Sequence, residues 1–337
     1  MNLVKRKSVL CVVGLAFVIL GLTSCSNEFG INTSSDPVPV VWFLLNPDAD
    51  EQFLRLGRSF LVDQNDPGRP PVADSTVWNL TVDVYLEEWL EGLPIHTYHF
   101  DPVAAETKDS GFFPQNNLRL YKADFPLLRL ATYRLYIHFP DDNRIVTGTT
   151  ALPGRPEVYD PVEIPGRKIS FQSGVNYTTR WAPGDGRGVF QGLFIIHYNE
   201  IWNGQTAVYQ AKLEMDPVLG LGSDIEMTDV LSGNRFLEAM AKQIPYREGA
   251  ERKVVNVQYK LFKGGEELAL QISPDLQQTT ISNSLNQYTN LENGIGIFSS
   301  LQQITISNLQ LSNTTLNELA HSELTKKLGF KDIHDGI

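Results

Sequence analysis

Histidine side chains are the first candidates for chemistry in this 337-residue chain, because they can bind metals or transfer protons. The six histidines are scattered over both halves of the sequence: His96, His99, His138, His197, His321 and His334. His96 and His99 are three residues apart in a predicted strand, so they point to opposite faces and cannot bind one ion together. The sequence therefore predicts no metal site and no cofactor.

Two carboxylate patterns are the next candidates. Glu87-Glu88 could form an acid–base pair, but strand neighbours face opposite ways, which favours solvated side chains on an edge strand. The segment 46–50 has oxygen ligands two residues apart, as at the start of a calcium loop. Glu51 stands where that loop needs glycine, and Gly57 where it needs its closing glutamate, so a plain turn is predicted. The sequence lacks the G-x-S-x-G, H-E-x-x-H and phosphate-loop motifs, and we predict that the protein is not an enzyme.

Cys25 has the most specific surroundings of any reactive residue. Three basic residues at 5–7 precede an apolar run over 9–22, which is too short to span a membrane and is typical of a secretory signal. The sequence Leu22-Thr23-Ser24-Cys25 resembles the lipobox of bacterial lipoproteins. That resemblance implies cleavage before Cys25 and lipid on its thiol, with a signal peptide over 1–24 and a lipidated tether over 25–37. The alternative is an ordinary secreted protein with a chance cysteine.

The remaining composition limits the partners. Cys11 lies inside the predicted signal, so the mature chain would contain no disulfide. Loss of the signal would leave 25 basic and 39 acidic residues, a net charge of −14. Such a charge repels nucleic acid, and contact with the membrane is predicted only through the lipid. Ser26, where an aspartate would indicate inner-membrane retention, favours the outer membrane, with periplasmic or surface facing left open.

Alternating apolar and polar residues predict about seven short strands in the first half of the chain. They fall at 38–45, 52–62, 80–86, 95–100, 118–125, 132–139 and 144–152, and Asp141-Asp142-Asn143 predicts a tight turn between the last two. This pattern indicates an immunoglobulin-like β-sandwich over 38–153. The proline- and glycine-rich stretch 154–166 is predicted as a linker.

The second half, 167–337, is predicted as a β-rich α+β domain with peripheral helices, which makes the whole chain mainly β. Strands are predicted at 190–198, 207–215 and 254–262. One helix is predicted at 234–244 with Asn234 as its cap, and another starts at Ser273. A third, at 313–328, would begin at Asn313 or Thr314 and end at Gly329.

Aromatic side chains are the candidate binding residues. Trp89 lies at a strand end, Trp181 precedes a glycine-rich loop at 184–188, and Trp202 lies at a predicted turn. Each could stack on a sugar or a peptide, or each could pack in the core. The glycine-rich loop could be a mobile binding loop or a hairpin turn.

Several segments resemble uncharacterised lipoproteins of Bacteroidota. They include 44–61, Leu86-Glu87-Glu88-Trp89, and 288–299 with its Asn293-Gly294 turn. The resemblance spans most of the mature chain and implies a lipid-anchored, β-rich protein of a domain family of unknown function, associated with TonB-dependent transporters. Independently of it, Gly294 and Gly296 are expected to serve a turn and a close backbone approach. Asp74-Ser75-Thr76 resembles the O-glycosylation site of these bacteria.

These observations favour a non-enzymatic binding or accessory component of an outer-membrane transport or surface assembly. The alternatives are a structural or adhesive surface protein and a hydrolase whose site has no sequence motif. The absence of tandem repeats counts against an adhesin.

Overall fold

The first half of the chain forms seven strands, as the alternation predicts. The computed structural model describes residues 37–59, 81–104, 119–272 and 288–332. The strands are β1 (Pro39–Leu45), β2 (Glu51–Arg58), β3 (Asp83–Leu90), β4 (Leu93–Ala104), β5 (Arg119–Asp124), β6 (Thr132–Phe139) and β7 (Arg144–Ala151). Asn143 adopts a positive φ of 53° in the tight turn between β6 and β7.

These seven strands form a two-layer sandwich. β1, β2, β5 and residues 101–104 of β4 pair in that order in one layer, and the earlier part of β4 pairs with β3, β6 and β7 in the other. With β1 as strand A, this is the ABED and CFG arrangement of immunoglobulin domains. The predicted mainly β fold with an immunoglobulin-like sandwich is confirmed.

A tyrosine corner supports the same assignment. Tyr133 is the second residue of β6, and its hydroxyl accepts a hydrogen bond of 2.6 Å from the backbone N–H of Leu128, five residues upstream. Immunoglobulin-like domains have such a tyrosine near the start of strand F. The sandwich core is formed by inward residues of both layers, including Phe43, Leu86 and Leu135, which are fully buried.

A segment from near the C-terminus completes this sandwich. β16 (Leu291–Glu292) pairs with β7, and the 17-residue strand β17 (Ile295–Leu311) begins by pairing in parallel with β1. Asn293 has a φ of 58° in the turn between them, and Gly296 has a φ of 114°. A Cβ on Gly296 would lie 2.0 Å from the carbonyl oxygen of Val41, so the expected turn and close approach are both present.

The second half contains the remaining strands and the helices. The strands are β8 (Glu157–Asp160), β9 (Lys168–Ile169), β10 (Asn176–Ala182), β11 (Gly188–Trp202), β12 (Gln205–Glu214), β13 (Val218–Gly220), β14 (Met227–Ser232) and β15 (Glu251–Gly264). The helices are α1 (Gly233–Gln243), α2 (Glu266–Ile272) and α3 (Asn313–His321), followed by a 3-10 turn at Lys326–Leu328. Of these eight strands, only β11, β12 and β15 correspond to predicted ones, and α2 was not predicted either.

A second core lies between two sheets and the helices. The order β12–β11–β15–β17 forms one antiparallel sheet, and β14–β10–β8 forms a smaller one. Phe194 of β11, Phe236 of α1 and Leu319 of α3 are fully buried in one cluster. The predicted β-rich half with peripheral helices is thus confirmed.

Both predicted helix caps were wrong by one or two residues. Ser232 caps α1 instead of Asn234, and Ser312 caps α3 instead of Asn313 or Thr314. In each case the serine oxygen accepts a hydrogen bond from the N–H three residues later, which fixes the first turn. The predicted helix 313–328 is wrong beyond His321, where α3 ends. Gly329, with a left-handed φ of 73°, instead ends the separate 3-10 turn Lys326–Leu328. The helix predicted at Ser273 lies outside the described residues.

The predicted linker lies between the two cores. The described residues from Val38 onward form one compact unit, and β17 contributes to both clusters. Gln302 of β17 donates to the carbonyl oxygen of Pro153 and accepts from Arg129, which joins the halves through polar contacts. The domain limits 38–153 and 167–337 stay predictions. The structure shows in addition that both halves share the strand β17.

Candidate functional site

The β11–β12 hairpin forms one edge of the sheet in the second half of the chain. Its strands pair without interruption from Leu193 opposite Glu214 to Trp202 opposite Gln205. Residues 201–210 are all exposed, although all but the two turn residues lie in regular strands. Asn203 and Gly204 form the turn with φ values of 51° and 75°, as type I′ hairpins require. The predicted position of Trp202 beside a turn is therefore correct.

An arginine and two aromatic rings form one face of this hairpin. The Arg247 guanidinium carbon lies 5.0 Å from the ring centre of Trp202 and 5.8 Å from that of Tyr209. The rings are 39 % and 38 % exposed. The indole N–H of Trp202 donates to the carbonyl oxygen of Glu248 at 3.2 Å, which fixes the ring against the loop after α1. We call Trp202, Tyr209 and Arg247 the aromatic–arginine cluster.

A buried ion pair supports this cluster from below. Glu200 of β11 faces Arg252 of β15, and both are almost completely buried. Arg252 Nε donates to Glu200 Oε2 at 2.8 Å, and a further guanidinium nitrogen donates to the carbonyl oxygen of Pro245 at 2.9 Å. The other carboxylate oxygen of Glu200 accepts from Arg247. The turn end of the hairpin and the 245–250 loop are therefore held in one arrangement.

The groups of the cluster can bind by stacking, by charge and by hydrogen bonding. Its hydrogen bond to Tyr209, and then the charge of Glu200, raise the pKa of Arg247, so the guanidinium stays charged. A half-exposed indole and phenol beside a fixed cation can stack on planar or apolar groups and donate hydrogen bonds. On the opposite face of the hairpin, Ile201 is 48 % and Val208 70 % exposed, beside the polar Thr206 and Gln210.

The other two candidate tryptophans differ from Trp202. Trp181 is 1 % exposed in the second core beside Phe190, so its prediction as a binding residue is corrected. It lies on β10, the central strand of the smaller sheet, and its ring packs into the second core. Trp89 is half-buried, with the Arg134 guanidinium stacked 3.7 Å from its ring centre and its N–H donating to Glu87. Its exposed area is small because Arg134 covers the ring.

Glu88 corrects the prediction of a solvated Glu87-Glu88 pair. β3 lies between β4 and β6, so it is not an edge strand, and Glu88 is 2 % exposed. Its carboxylate lies 2.6 Å from the Tyr133 hydroxyl, 3.0 Å from the Tyr98 hydroxyl and 2.8 Å from His96 Nδ1. Burial alone would raise its pKa, but hydrogen bonds, led by Tyr133 and His96, lower it overall. The sequence carried this signal, because residue 88 continues the inward series 82, 84, 86.

Two loops were predicted from the sequence, at 46–50 and at 184–188. The segment 46–50 is a turn closed by the Asp48 N–H bond to Asn46 Oδ1, and Asp48 pairs with Arg129. The glycine-rich loop joins β10 to β11, which lie in different sheets, so it is not a hairpin turn. It is held by the fully buried Lys263, whose ammonium donates to the carbonyl oxygens of Asp185, Pro183 and Gly154 at 2.8–2.9 Å. No periodicity in the sequence indicated this contact.

Other features of the described residues are less specific. Two open grooves of about 440 and 330 Å³ flank α3 and share the side chain of His321. Within the described ranges, no three His, Cys, Asp or Glu side chains are placed to hold a metal ion. None of the described helices has the length and hydrophobicity needed to cross a membrane. Cys25, Ser75 and His334 lie outside the described residues.

Comparisons with known proteins add little to this description. No protein-family model matches the chain, and no curated protein does. Among solved structures, the chain is similar to one described as "Crystal structure of CBD12 from CALX1.2", with 10 % identity. The alignment covers 78 % of this chain and 99 % of that one, with a TM-score of 0.16, which is too low to support an argument.

Proposed function

We propose that this protein is a lipid-anchored component of the cell envelope that acts by binding, as an accessory part of an outer-membrane transport or surface assembly. Lipid on Cys25 would hold it at the membrane, and the 25–37 tether would allow the folded part to reach a neighbour. We also propose that it belongs to the Bacteroidota lipoproteins that its segments resemble, with a TonB-dependent transporter as the partner to be tested first.

The aromatic–arginine cluster is the observation that supports binding. Arginine and aromatic residues are enriched at the centres of protein interfaces, because they bury large areas at a small entropic cost. Here their geometry is set in advance by the Glu200–Arg252 pair beneath them. A preformed contact of this kind loses less entropy on association than a flexible loop would lose.

The direct test is capture of partners from detergent-solubilised envelope with the full-length, tagged protein. We expect wild type to recover a transporter or another envelope protein. The Trp202→Ala, Tyr209→Ala double variant should recover at least tenfold less of that partner, which corresponds to a loss of about 1.4 kcal/mol or more of binding free energy. Leu130→Ala is the matched control, because Leu130 is an apolar side chain, 86 % exposed, in the sandwich half. Equal recovery by the double variant and the control would contradict a binding role for the cluster.

The anchor is tested separately by metabolic labelling with a fatty acid. Wild type should incorporate the label and Cys25→Ala should not, since the lipid would be attached to that thiol. Equal labelling of both would exclude the proposed anchor. Turnover of a glycan or peptide by the purified protein, together with no captured partner, would favour a hydrolase instead.

A further inference from the structure

The outer edge of β12 carries backbone groups that no described strand covers. β12 is the last strand in its sheet order, with β11 on its inner side only. Lys212 shows which residues point outward, because its N–H donates to Gln243 Oε1 at 2.9 Å and its carbonyl oxygen accepts from Gln243 Nε2 at 2.5 Å. The amide of Gln243 thus occupies the place of a neighbouring strand at this one position.

Three further residues share the outward orientation of Lys212. Because N–H and C=O directions alternate along an antiparallel strand, Thr206, Val208 and Gln210 also direct both backbone groups to the outer edge. The pairing with β11 has no register shift over this length, so the alternation is unbroken. All three residues are exposed, and 205–211 contains no proline and no charged side chain. Charge and proline are the usual means by which edge strands avoid pairing.

We propose that this edge pairs with the same edge of a second copy of the chain. The three uncapped residues are symmetric about Val208, so a two-fold axis there would place Val208 opposite Val208 of the second copy. Thr206 would then face Gln210 in both directions, and each facing pair would exchange two backbone hydrogen bonds. The next outward residue, Lys212, is already capped by Gln243, which ends the pairing where the symmetry ends.

The side chains fit this register. Val208 would contact Val208 of the second copy on the face of the hairpin where Ile201 is also exposed. Tyr209 would lie opposite Ala207 of the second copy on the other face. Like charges that face each other destabilise the pairing of two copies of a strand. In this register no two charged side chains of the same sign would face each other. A neutral, self-complementary edge therefore selects a second copy over a charged foreign segment.

Pairing of five residues per chain is smaller than a standard stable interface, so we expect it to need a high local concentration. Two copies confined to one membrane would have it, and this expectation, together with the use of envelope membranes in the test, rests on the proposed lipid anchor. Tyr209 belongs to both the aromatic–arginine cluster and the paired segment, but Trp202 and Arg247 lie outside residues 206–210. Trp202→Ala should therefore lower envelope capture without changing the pairing, which keeps the two results separate.

Cysteine crosslinking of the full-length protein in envelope membranes tests the register. The mature chain would have no cysteine other than Cys25, and facing residues in a hydrogen-bonded pair have Cα atoms about 5.5 Å apart, which suits a disulfide. Val208→Cys should therefore form a covalent dimer on mild oxidation. Thr206→Cys should give less than about a tenth as much, because the two residues 206 would lie roughly 13 Å apart along the strands. The double variant Thr206→Cys, Gln210→Cys should crosslink again.

Two controls make the result decisive. Val255→Cys places a thiol at a residue of β15 that is 51 % exposed and lies away from the edge, and it should not crosslink. Adding Val208→Pro to the double cysteine variant should abolish its dimer without unfolding the hairpin, because the outward N–H of residue 208 is not used by β11. Equal dimer from Val208→Cys, Thr206→Cys and Val255→Cys would overturn the proposal. Crosslinking of Val208→Cys to a different envelope protein would overturn it in favour of a foreign strand.

Discussion

Phe298, at the start of β17, stacks on Phe43 of β1 with ring centres 5.1 Å apart and an interplanar angle of 15°. Both rings are fully buried in the sandwich core, although 254 positions separate them in the sequence and Phe298 belongs to a strand that continues into the second half. The sandwich therefore depends on a segment that lies far beyond its predicted end at residue 153.

The first prediction concerns this contact. Phe298→Ala should lower the free energy of unfolding by about 3–5 kcal/mol, because it removes a buried ring and leaves a cavity. Urea unfolding followed by tryptophan fluorescence measures the loss. Phe53→Ala removes a ring that is 45 % exposed on β2 and should cost far less. Similar losses for both variants would contradict a core role for Phe298.

The second prediction concerns the buried carboxylate of Glu88. Glu88→Gln should destabilise the protein by about 2–4 kcal/mol at pH 7, because an amide cannot accept all the hydrogen bonds that converge there. The pKa of Glu88 is lowered from 4.5, so its contribution is complete above the unfolded-state value and is lost as the pH falls through the folded-state value.

The difference in stability between wild type and Glu88→Gln should therefore shrink as the pH falls below 4.5. Urea unfolding from pH 7 to pH 3 measures this difference. Glu87→Gln, at the half-exposed neighbouring position, should show a smaller effect at every pH. A difference between wild type and Glu88→Gln that does not change with pH would exclude the ionised carboxylate as its cause.

The third prediction concerns Lys263, which joins the glycine-rich loop to the predicted linker. Burial lowers the pKa of Lys263 from 10.5 to about 8, so the folded protein releases this proton before the unfolded chain does. Between these values the unfolded chain binds more protons, and the free energy of unfolding rises with pH. Wild type should therefore gain stability relative to Lys263→Met as the pH increases from 8 to 10.

Lys253→Met is the control, because Lys253 lies on the same strand but is exposed. Its stability difference from wild type should not follow that pH range. A flat difference for Lys263→Met as well would show that the amine has the same pKa in both states.

The fourth prediction concerns Gly296. Gly296→Ala should destabilise the protein by at least about 2 kcal/mol, because it combines a positive φ with a Cβ 2.0 Å from the Val41 carbonyl oxygen. Gly92→Ala has a similar backbone requirement, with a φ of 81°, but open space around the added carbon. It should cost only about 1 kcal/mol, the strain of a left-handed residue. Thermal unfolding of the two variants separates the clash from the strain, and equal shifts would remove the close approach as an explanation.

Local patterns in the sequence determined most of the elements of this protein. Alternation placed β6 at 132–139, as observed, because cross-strand packing needs one apolar face and the period of two is a property of the strand alone. The turn at Asn203-Gly204 and the break in structure at Gly329 were also predictable, since few residues adopt a positive φ. The residue that caps a helix was harder to predict, because neighbouring polar residues can each take the cap position. Ser232 and Asn234 are such a pair, and Ser232 is the cap.

Only the tertiary structure decided which elements meet. Pairing between β1 and β17 joins the two ends of the chain, and no local pattern encodes a contact over that separation. Glu88 is buried because β3 lies between two strands. Lys263 can be buried because three carbonyl oxygens from two loops converge on its ammonium group. Trp202 was recognisable as a turn residue, whereas its contact with Arg247 required the loop after α1 to fold over β11. A single side chain specifies its own conformational preference, but its environment is the sum of many distant contacts.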